Sequence, residues 1–482
     1  MLKVPSEVNE VAKKLAEHKH ESYLVGGCLR DLLIGRTPHD WDLATSATPT
    51  ELQKIFPDSV YENQFGTVGV KTDSKDPDLK IIEVTTFRKE GKYTDKRHPD
   101  EVVFAKNIED DLARRDFTVN AMAWNPKRGI VDPFGGEKDL KKKIIRAVGK
   151  PAERFNEDAL RLMRAVRFSA QLDFEIEKET LAAIKKSAGL IEFIAKERIR
   201  DELSKLLIAD KAAEGIVAMQ ETGLLKFVLP EIEEGVGVGQ NKHHIYSVFE
   251  HNWRSLEYAA KKKFPLDLRI ASLLHDVGKP RTKKGNGLDS TFYGHQVVGE
   301  KIALRLLDRL KYPKAMIEKI ALLIREHMFV YDPESVTLRG VRRLISRVGQ
   351  DNMDDLIKIR EADRIGSGVP KAQPYRLRYL QAMIEKVKKD PIGPKMIAAN
   401  GTDIMKALKI EPGPIVGYII AILLEEILDE PKLNNKEKLL DRALELGKLS
   451  EKDLRTLSEK SKKSAQEAQG RIDEEIKKKY FV

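Results

Sequence analysis

A short apolar run ending in two glycines, Tyr23-Leu24-Val25-Gly26-Gly27, leads into Cys28-Leu29-Arg30-Asp31, and His39-Asp40-Trp41-Asp42-Leu43 follows it. In a β-strand successive side chains alternate faces, so Asp40 and Asp42 are expected to point one way and Trp41 into the core. Two carboxylates on one face repel unless a cation lies between them, and hard divalent ions with oxygen ligands, Mg²⁺ above all, serve that purpose. Gly26 and Gly27 let backbone N–H groups approach a phosphate, and a helix N-terminus after them favours the anion. That is the layout of a nucleotidyl-transfer site. A solvated Asp-x-Asp on a surface strand satisfies the same spacing.

Three further runs could serve the same chemistry. In Lys80-Ile81-Ile82-Glu83-Val84-Thr85-Thr86 the two-residue period puts Glu83 and Thr85 on one face. Glu83 could then add a third carboxylate from a neighbouring strand, or be an ordinary surface glutamate. Arg114-Arg115-Asp116-Phe117-Thr118-Val119-Asn120 supplies guanidinium groups that match phosphate oxygens, with an Asp and an Asn for a ribose. A structural Arg–Asp pair is the plainer alternative. In Glu157-Asp158-Ala159-Leu160-Arg161-Leu162-Met163-Arg164-Ala165-Val166-Arg167, the residues Asp158, Arg161, Arg164 and Arg167 recur every third position and are expected on one helical face. A basic solvated stripe would look similar. As a base reader the set explains more, since Arg161 only donates hydrogen bonds and ionised Asp158 only accepts them. Cytosine and adenine each place an amino donor beside a ring-nitrogen acceptor, whereas uracil and guanine present the reverse order. An Asp158/Arg161 pair would accept C and A.

A second group of chemically able residues lies downstream: His251, His275-Asp276, His295, His327 and Asp363. Six of the ten histidines fall between His243 and His327. Imidazole and carboxylate ligands suit Mn²⁺, Ni²⁺, Co²⁺ or Fe, with Mg²⁺ an alternative. His243 and His244 lie outside the ordered set and are assigned at most to the mouth of the site.

The elements that must position these residues change character along the chain. A leading helix over residues 1–20 precedes candidate strands at Tyr23–Val25, Trp41–Ala44, Thr67–Lys71, Lys80–Thr86 and Ala121–Asn125, a mixed α/β domain. After Pro151 the strand signals fade, and 156–172, 176–189, 195–209 and 211–226 read as amphipathic helices. Gly235–Gly239 makes a break, and a second break at Gly366–Pro370 precedes a last helical section whose end, from Pro431, reads as a solvated tail. The expected boundaries are 1–150, 151–234, 235–368 and 369–482, consistent with a chain of 482 residues being too long for one core. Charged residues make up 34% and the net charge is +10, which suits a polyanionic partner. A single cysteine, Cys28, excludes an internal disulfide and fits a reducing cytoplasm, where it is expected as a small packed residue. The N-terminal residues show no signal-peptide pattern. The longest apolar run, Ile415–Leu424, is too short to span a bilayer and reads as a buried helix, so no membrane partner is expected.

The first set of motifs resembles the class II tRNA nucleotidyltransferase and bacterial poly(A) polymerase family, which includes the CCA-adding enzymes; the likeness is close over residues 20–230. The resemblance implies an α/β nucleotidyltransferase head, an all-α neck carrying the base-reading helix, an HD domain and a helical C-terminal section that helps hold tRNA. It implies that Gly26, Gly27 and Arg30 bind the triphosphate, that Asp40 and Asp42 hold catalytic Mg²⁺, and that Arg115 and Asp116 meet ribose and phosphate. Asp158, Arg161, Arg164 and Arg167 correspond to the template that reads the incoming base. Arg88–Asp100 resembles the loop with which CCA-adding members switch from C to A, favouring CTP and ATP as substrates and tRNA as acceptor. The ordered set of His251, His275, Asp276, His295, His327 and Asp363 resembles the HD-domain metal phosphohydrolases, which implies hydrolysis of a phosphate ester. Addition of A alone, a poly(A) polymerase, or an HD phosphohydrolase with an inactive RNA-binding head remain alternatives, as does monomer against homodimer.

Overall fold

The computed structural model describes residues 2–63, 66–90, 102–241, 245–388, 390 and 396–460. The chain divides into two compact units, Met1–Glu233 with Arg309–Tyr312, and Glu234–Asp308 with Pro313–Val482. Residues 91–100 of the loop that resembles the C-to-A switch, together with His243 and His244, lie outside the described residues.

In the first unit the strands are β1 (Ser22–Val25), β2 (Asp42–Thr45), β3 (Ser59–Asn63), β4 (Thr67–Lys71), β5 (Ile81–Thr86), β6 (Arg88–Glu90), β7 (Val102–Phe104), β8 (Ala123–Asn125) and β9 (Gly129–Val131). Seven of them form one sheet in the order β3-β4-β5-β2-β1-β8-β9, and β6 pairs with β7 separately. The alternation expected of β5 is realised, with Ile82, Val84 and Thr86 buried and alternating with exposed Ile81 and Glu83 and half-buried Thr85. Apolar Tyr23, Val25, Ala44 and Ala123 join Phe87, Ile108 and Leu112 in a core cluster beneath the strand ends. β1 and β2 run antiparallel with Leu24 opposite Leu43, while β2 and β5 run parallel with Asp42 opposite Glu83. The helix Gly26–Leu33 therefore starts beside the start of β2.

The helix expected over 156–172 is two helices, Pro151–Glu157 and Leu160–Leu172. Asp158 sits in extended backbone between them (φ −135°, ψ 104°), and its carboxylate accepts the Leu160 N–H at 3.0 Å. Aspartate readily takes this role because its short side chain reaches backbone donors that an opening helix leaves without partners. Asp158 is consequently off the helical face that Arg161, Arg164 and Arg167 share, contrary to the sequence expectation.

In the second unit the helix Val248–Lys261, opened by Ser247 accepting the Glu250 N–H, packs against the helix Met353–Gly366. A Cβ at Gly366 would collide with Ser255 Oγ and lie 2.9 Å from the His251 carbonyl, so these two helices approach as closely as glycine allows. Further along, Ile419, Ile422, Leu423 and Ile427 of the helix Pro414–Asp429 form a core with Leu439, Ala443, Leu446 and Leu454. The section after Pro431 is therefore packed at least to Leu454 rather than a solvated tail: its apolar residues recur at helical spacing among many charges, and the charges mask them. Among the described residues no helix is long and apolar enough to cross a membrane.

Candidate active site and metal centre

The first unit holds a cavity of about 1140 Å³ lined by both glycines of the turn, Arg30, Asp40, Asp42, Arg115, Asp116, Asn120, Asp158, Arg161, Arg164, Arg167 and Phe168. Every nucleotide-site residue singled out from the sequence lines it except Glu83. Glu83 faces Asp42 across the parallel pair in register, on the same side of the sheet. Gly26 has φ +71°, and a Cβ there would lie 3.0 Å from Arg115 Nη1 and 3.3 Å from Asp42 Oδ2. Only glycine tolerates both the backbone and the approach. Asp42 opens β2, whereas Asp40 precedes the strand and is exposed. Burial pushes the Asp42 carboxyl up, Arg115 pulls it down, and the charge of Asp40 adds to the rise. A carboxylate pair so incompletely compensated is suited to a hard divalent cation. Cys28 beside it is buried, and burial and Asp42 push its thiol up to about 12.

A continuous polar chain crosses the cavity. Arg30 Nη1 donates to Asn120 Oδ1 at 2.8 Å, Asn120 Nδ2 donates to Asp116 Oδ1 at 3.1 Å, and Arg164 Nε donates to Asp116 Oδ2 at 2.7 Å. Burial works to raise the Asp116 carboxyl, but Arg164, Asn120 and Arg161 outweigh it and bring it to about 2. Arg167 Nε donates to Glu202 Oε2 at 2.6 Å. Asp158 and Arg161 are joined by the backbone, where the Arg161 N–H donates to the Asp158 carbonyl at 3.0 Å, while their side chains take other partners. Arg198 donates to both oxygens of Asp158, at 2.8 and 3.3 Å, while Arg161 donates to Glu157 at 2.6 Å and to the Arg114 carbonyl at 2.9 Å. Arg114 and Arg115 both clasp the fully buried Asp111. Asp111, Arg198 and Glu202 were missed in the sequence. Asp111 stands three and four positions before its arginines and was legible as a helical ion pair. Arg198 and Glu202 come from the helix Lys196–Leu207, with no local pattern to mark them.

In the second unit all six residues of the histidine–aspartate set converge. His251, His275, Asp276 and Asp363 form one group and Asp276, His295 and His327 another, with ligand atoms in each within 4.8 Å of one another. Asp276 belongs to both: its Oδ2 lies 3.0 Å from His251 Nε2, and its Oδ1 lies 3.3 Å from His295 Nε2. His275, His295 and His327 direct Nδ1 at the backbone carbonyls of Ser272, Phe292 and Ile324, at 2.7–2.8 Å. That bond places the proton on Nδ1 and turns a bare Nε2 lone pair inward, as in metal-ligating histidines. His251 Nε2 and His275 Nε2 stand 2.8 Å apart. A donor set of this kind fits one or two divalent transition metals. Burial lowers His295 and His327, which favours the neutral imidazole. Burial opposes ionisation of Asp276 and Asp363, yet Lys279 beside the first and Arg360 beside the second hold both well below the usual range. Lys279 Nζ is 2.6 Å from Asp276 and also donates to Gln240 at 2.7 Å. A cavity of about 740 Å³ opens onto this cluster, walled by Phe292, Phe329, Tyr331, Tyr375, Arg360 and Arg364.

Residues 22–146 match the poly A polymerase head domain, 173–235 the probable RNA and SrmB-binding site of polymerase A, and 248–366 the HD domain. The chain is 34% identical over 439 residues to the CCA-adding enzyme of Ligilactobacillus salivarius, covering 90% of this chain and 95% of that protein. It is 37% identical over 415 residues to the A-adding tRNA nucleotidyltransferase of Deinococcus radiodurans, covering 83% and 90%. The crystal structure of the Bacillus stearothermophilus CCA-adding enzyme in complex with CTP superposes with a TM-score of 0.69 at 27% identity, over 93% of this chain and 100% of that one. By the extent of these matches and by the head, RNA-binding and HD segments in one chain, the protein belongs to the tRNA nucleotidyltransferase and poly(A) polymerase family.

Proposed function

We propose that the first unit adds C, C and A to the 3′ end of tRNA from CTP and ATP without a nucleic-acid template. The observation that carries this reading is a single cavity holding the Gly26–Gly27 turn, Asp40 and Asp42, and the Asp158/Arg161 pair together. Attack of the RNA 3′-hydroxyl on the α-phosphorus displaces pyrophosphate. Arg30, one turn into the helix that the glycines open, and Arg115, beside Asp42, bind phosphate oxygens. Asp116 takes a ribose hydroxyl, and Asp158 with Arg161 offers an acceptor and a donor that fit the edges of cytosine and adenine. Asp40 and Asp42 would hold Mg²⁺, which when bound would supply the charge that favours the ionised hydroxyl and the departing pyrophosphate. The residue ranges 1–150 and 151–234 serve as head and neck, and 369–482 as the section that holds tRNA.

In this reading the HD range, 235–368, hydrolyses a phosphate ester with metal held by His251, His275, Asp276, His295, His327 and Asp363. A second reading of the transferase, addition of the terminal A alone, is favoured by the likeness to the A-adding nucleotidyltransferase of Deinococcus radiodurans. Incorporation on tRNA lacking CCA, with Mg²⁺ and each nucleotide alone or in pairs, separates the possibilities. Two additions with CTP and a third only when ATP joins support CCA synthesis. One addition with ATP on a tRNA already ending in CC, and none with CTP, identifies an A-adding enzyme. A long ladder with ATP indicates a poly(A) polymerase, and no extension at all overturns the transferase reading.

A further inference from the structure

Phe168 has no assigned role, yet three guanidinium groups gather around its ring. The Arg167 carbon Cζ lies 3.9 Å from the ring centroid, and those of Arg30 and Arg164 each lie 5.2 Å from it. Three like charges so close to one point repel. Asp31 and Asn120 on Arg30, Asp116 on Arg164 and Glu202 on Arg167 relieve part of that repulsion. The negative face of an aromatic ring relieves more, and does so without competing for the N–H groups that must reach phosphate. The ring itself is fixed: Phe168 is 5% exposed and packs edge-to-face on Phe117 at 5.8 Å and 82°. Phe117 directly follows Asp116, so the ring is braced by the segment that carries the polar chain.

Arg30 comes from the glycine turn and Arg164 from the base-reading helix. They are joined twice, once through Asn120 and Asp116 and once through this ring. We propose that Phe168 is a positioning residue for the incoming nucleotide, whose π-face gathers the triphosphate-holding Arg30 and the helix-borne Arg164 and Arg167 into one preformed anion site. The inference rests on the nucleotide-binding reading of this cavity.

Equilibrium binding to the full chain, with CTP and inorganic tripolyphosphate as probes, tests it. F168Y keeps the ring face and is expected to bind both probes as the parent does. F168L and F168M keep apolar volume without a ring and are expected to weaken both about tenfold, or 1.4 kcal/mol, the size of one to two buried cation–π contacts. R164K is expected to weaken tripolyphosphate binding in the parent but much less when added to F168L. Binding by F168L or F168M within twofold of the parent overturns the inference, as does F168Y weakening as much as they do. Loss of the native melting transition in both, with F168Y native, also overturns it, making the ring a packing element. A parent chain that binds no CTP sinks the transferase reading first. A parent that binds CTP and extends tRNA, with indifferent ring variants, sinks this inference alone.

Discussion

Asp116 is the residue on which the cavity of the first unit turns, because it is bonded both to Asn120, which holds Arg30, and to Arg164 of the helix Leu160–Leu172. Its carboxyl falls to about 2 in the fold from 3.8. A depressed carboxyl adds stability at pH values above its unfolded value and loses it as pH falls through the folded one. Asp116 should thus contribute about 2 kcal/mol near neutrality, fading between pH 4 and 2. The stability difference between the parent and D116N, measured by urea unfolding, is expected to shrink across that window; a difference independent of pH would refute the assignment. At Asp42, removing one carboxylate from the pair should be far costlier for chemistry than for folding. D42N is expected to slow incorporation at least about a thousandfold, some 4 kcal/mol of transition-state stabilisation, with little change in melting temperature. G26A should cost about 1–2 kcal/mol of backbone strain at its left-handed φ and also part Arg115 from Asp42. Its incorporation rate should therefore fall further than its stability alone would explain.

At the scale of elements, positions set by local spacing were legible and those set by packing were not. The glycine turn and the β5 alternation are statements about a few consecutive residues, and each element formed where its pattern lay; the Asp-x-Asp did so only in part, since the strand begins at Asp42 and leaves Asp40 in the bend before it. The break at Asp158 was hidden because Asp158, Arg161, Arg164 and Arg167 keep a helical period across it. Aspartate's capture of the Leu160 N–H, which starts a new helix, leaves that period intact. Arg198 and Glu202 were invisible because their partners, Asp158 and Arg167, lie 40 and 35 residues earlier in the chain. In the second unit the decisive element is the turn after the helix Leu266–Leu274. A Cβ at Gly278 would run into the His295 carbonyl and stand 2.7 Å from the Gly299 N. G278A should push the helix beginning at His295 away from Asp276. Metal content measured on purified G278A is expected to fall severalfold while tRNA extension persists; full metal occupancy would show that the close approach is dispensable.

At the scale of the molecule, each chemical centre is assembled inside one compact unit, from residues far apart in sequence but not shared between units. The two units meet in sequence at Glu233 and Glu234, next to the Gly235–Gly239 break, whereas the strand signals fade earlier, after Pro151, within the first unit. The packed helices beyond Pro431 were not legible, since their few apolar residues are diluted by charge. A net charge of +10 supplies attraction for a polyanion, so the affinity for tRNA lacking CCA should fall linearly on a log–log salt plot. Filter binding at several salt concentrations reads this slope, and each lost phosphate contact should reduce it by roughly 0.7–0.9. A flat salt response would argue against RNA as the partner.

The inward-turned imidazoles of the second unit have a consequence for protein lifetime. Four imidazoles and two carboxylates are buried together there, and an ion that binds only the folded state would add its binding free energy to the stability of that fold. At a free concentration of a hundred times its Kd, such an ion stabilises the fold by about 2.7 kcal/mol. Starved of metal, the second unit would open more often and offer its helices to proteases while the first stayed intact. The abundance of full-length chain would then follow the supply of transition metal, and limited proteolysis with and without a chelator should show cleavage beginning after Glu234.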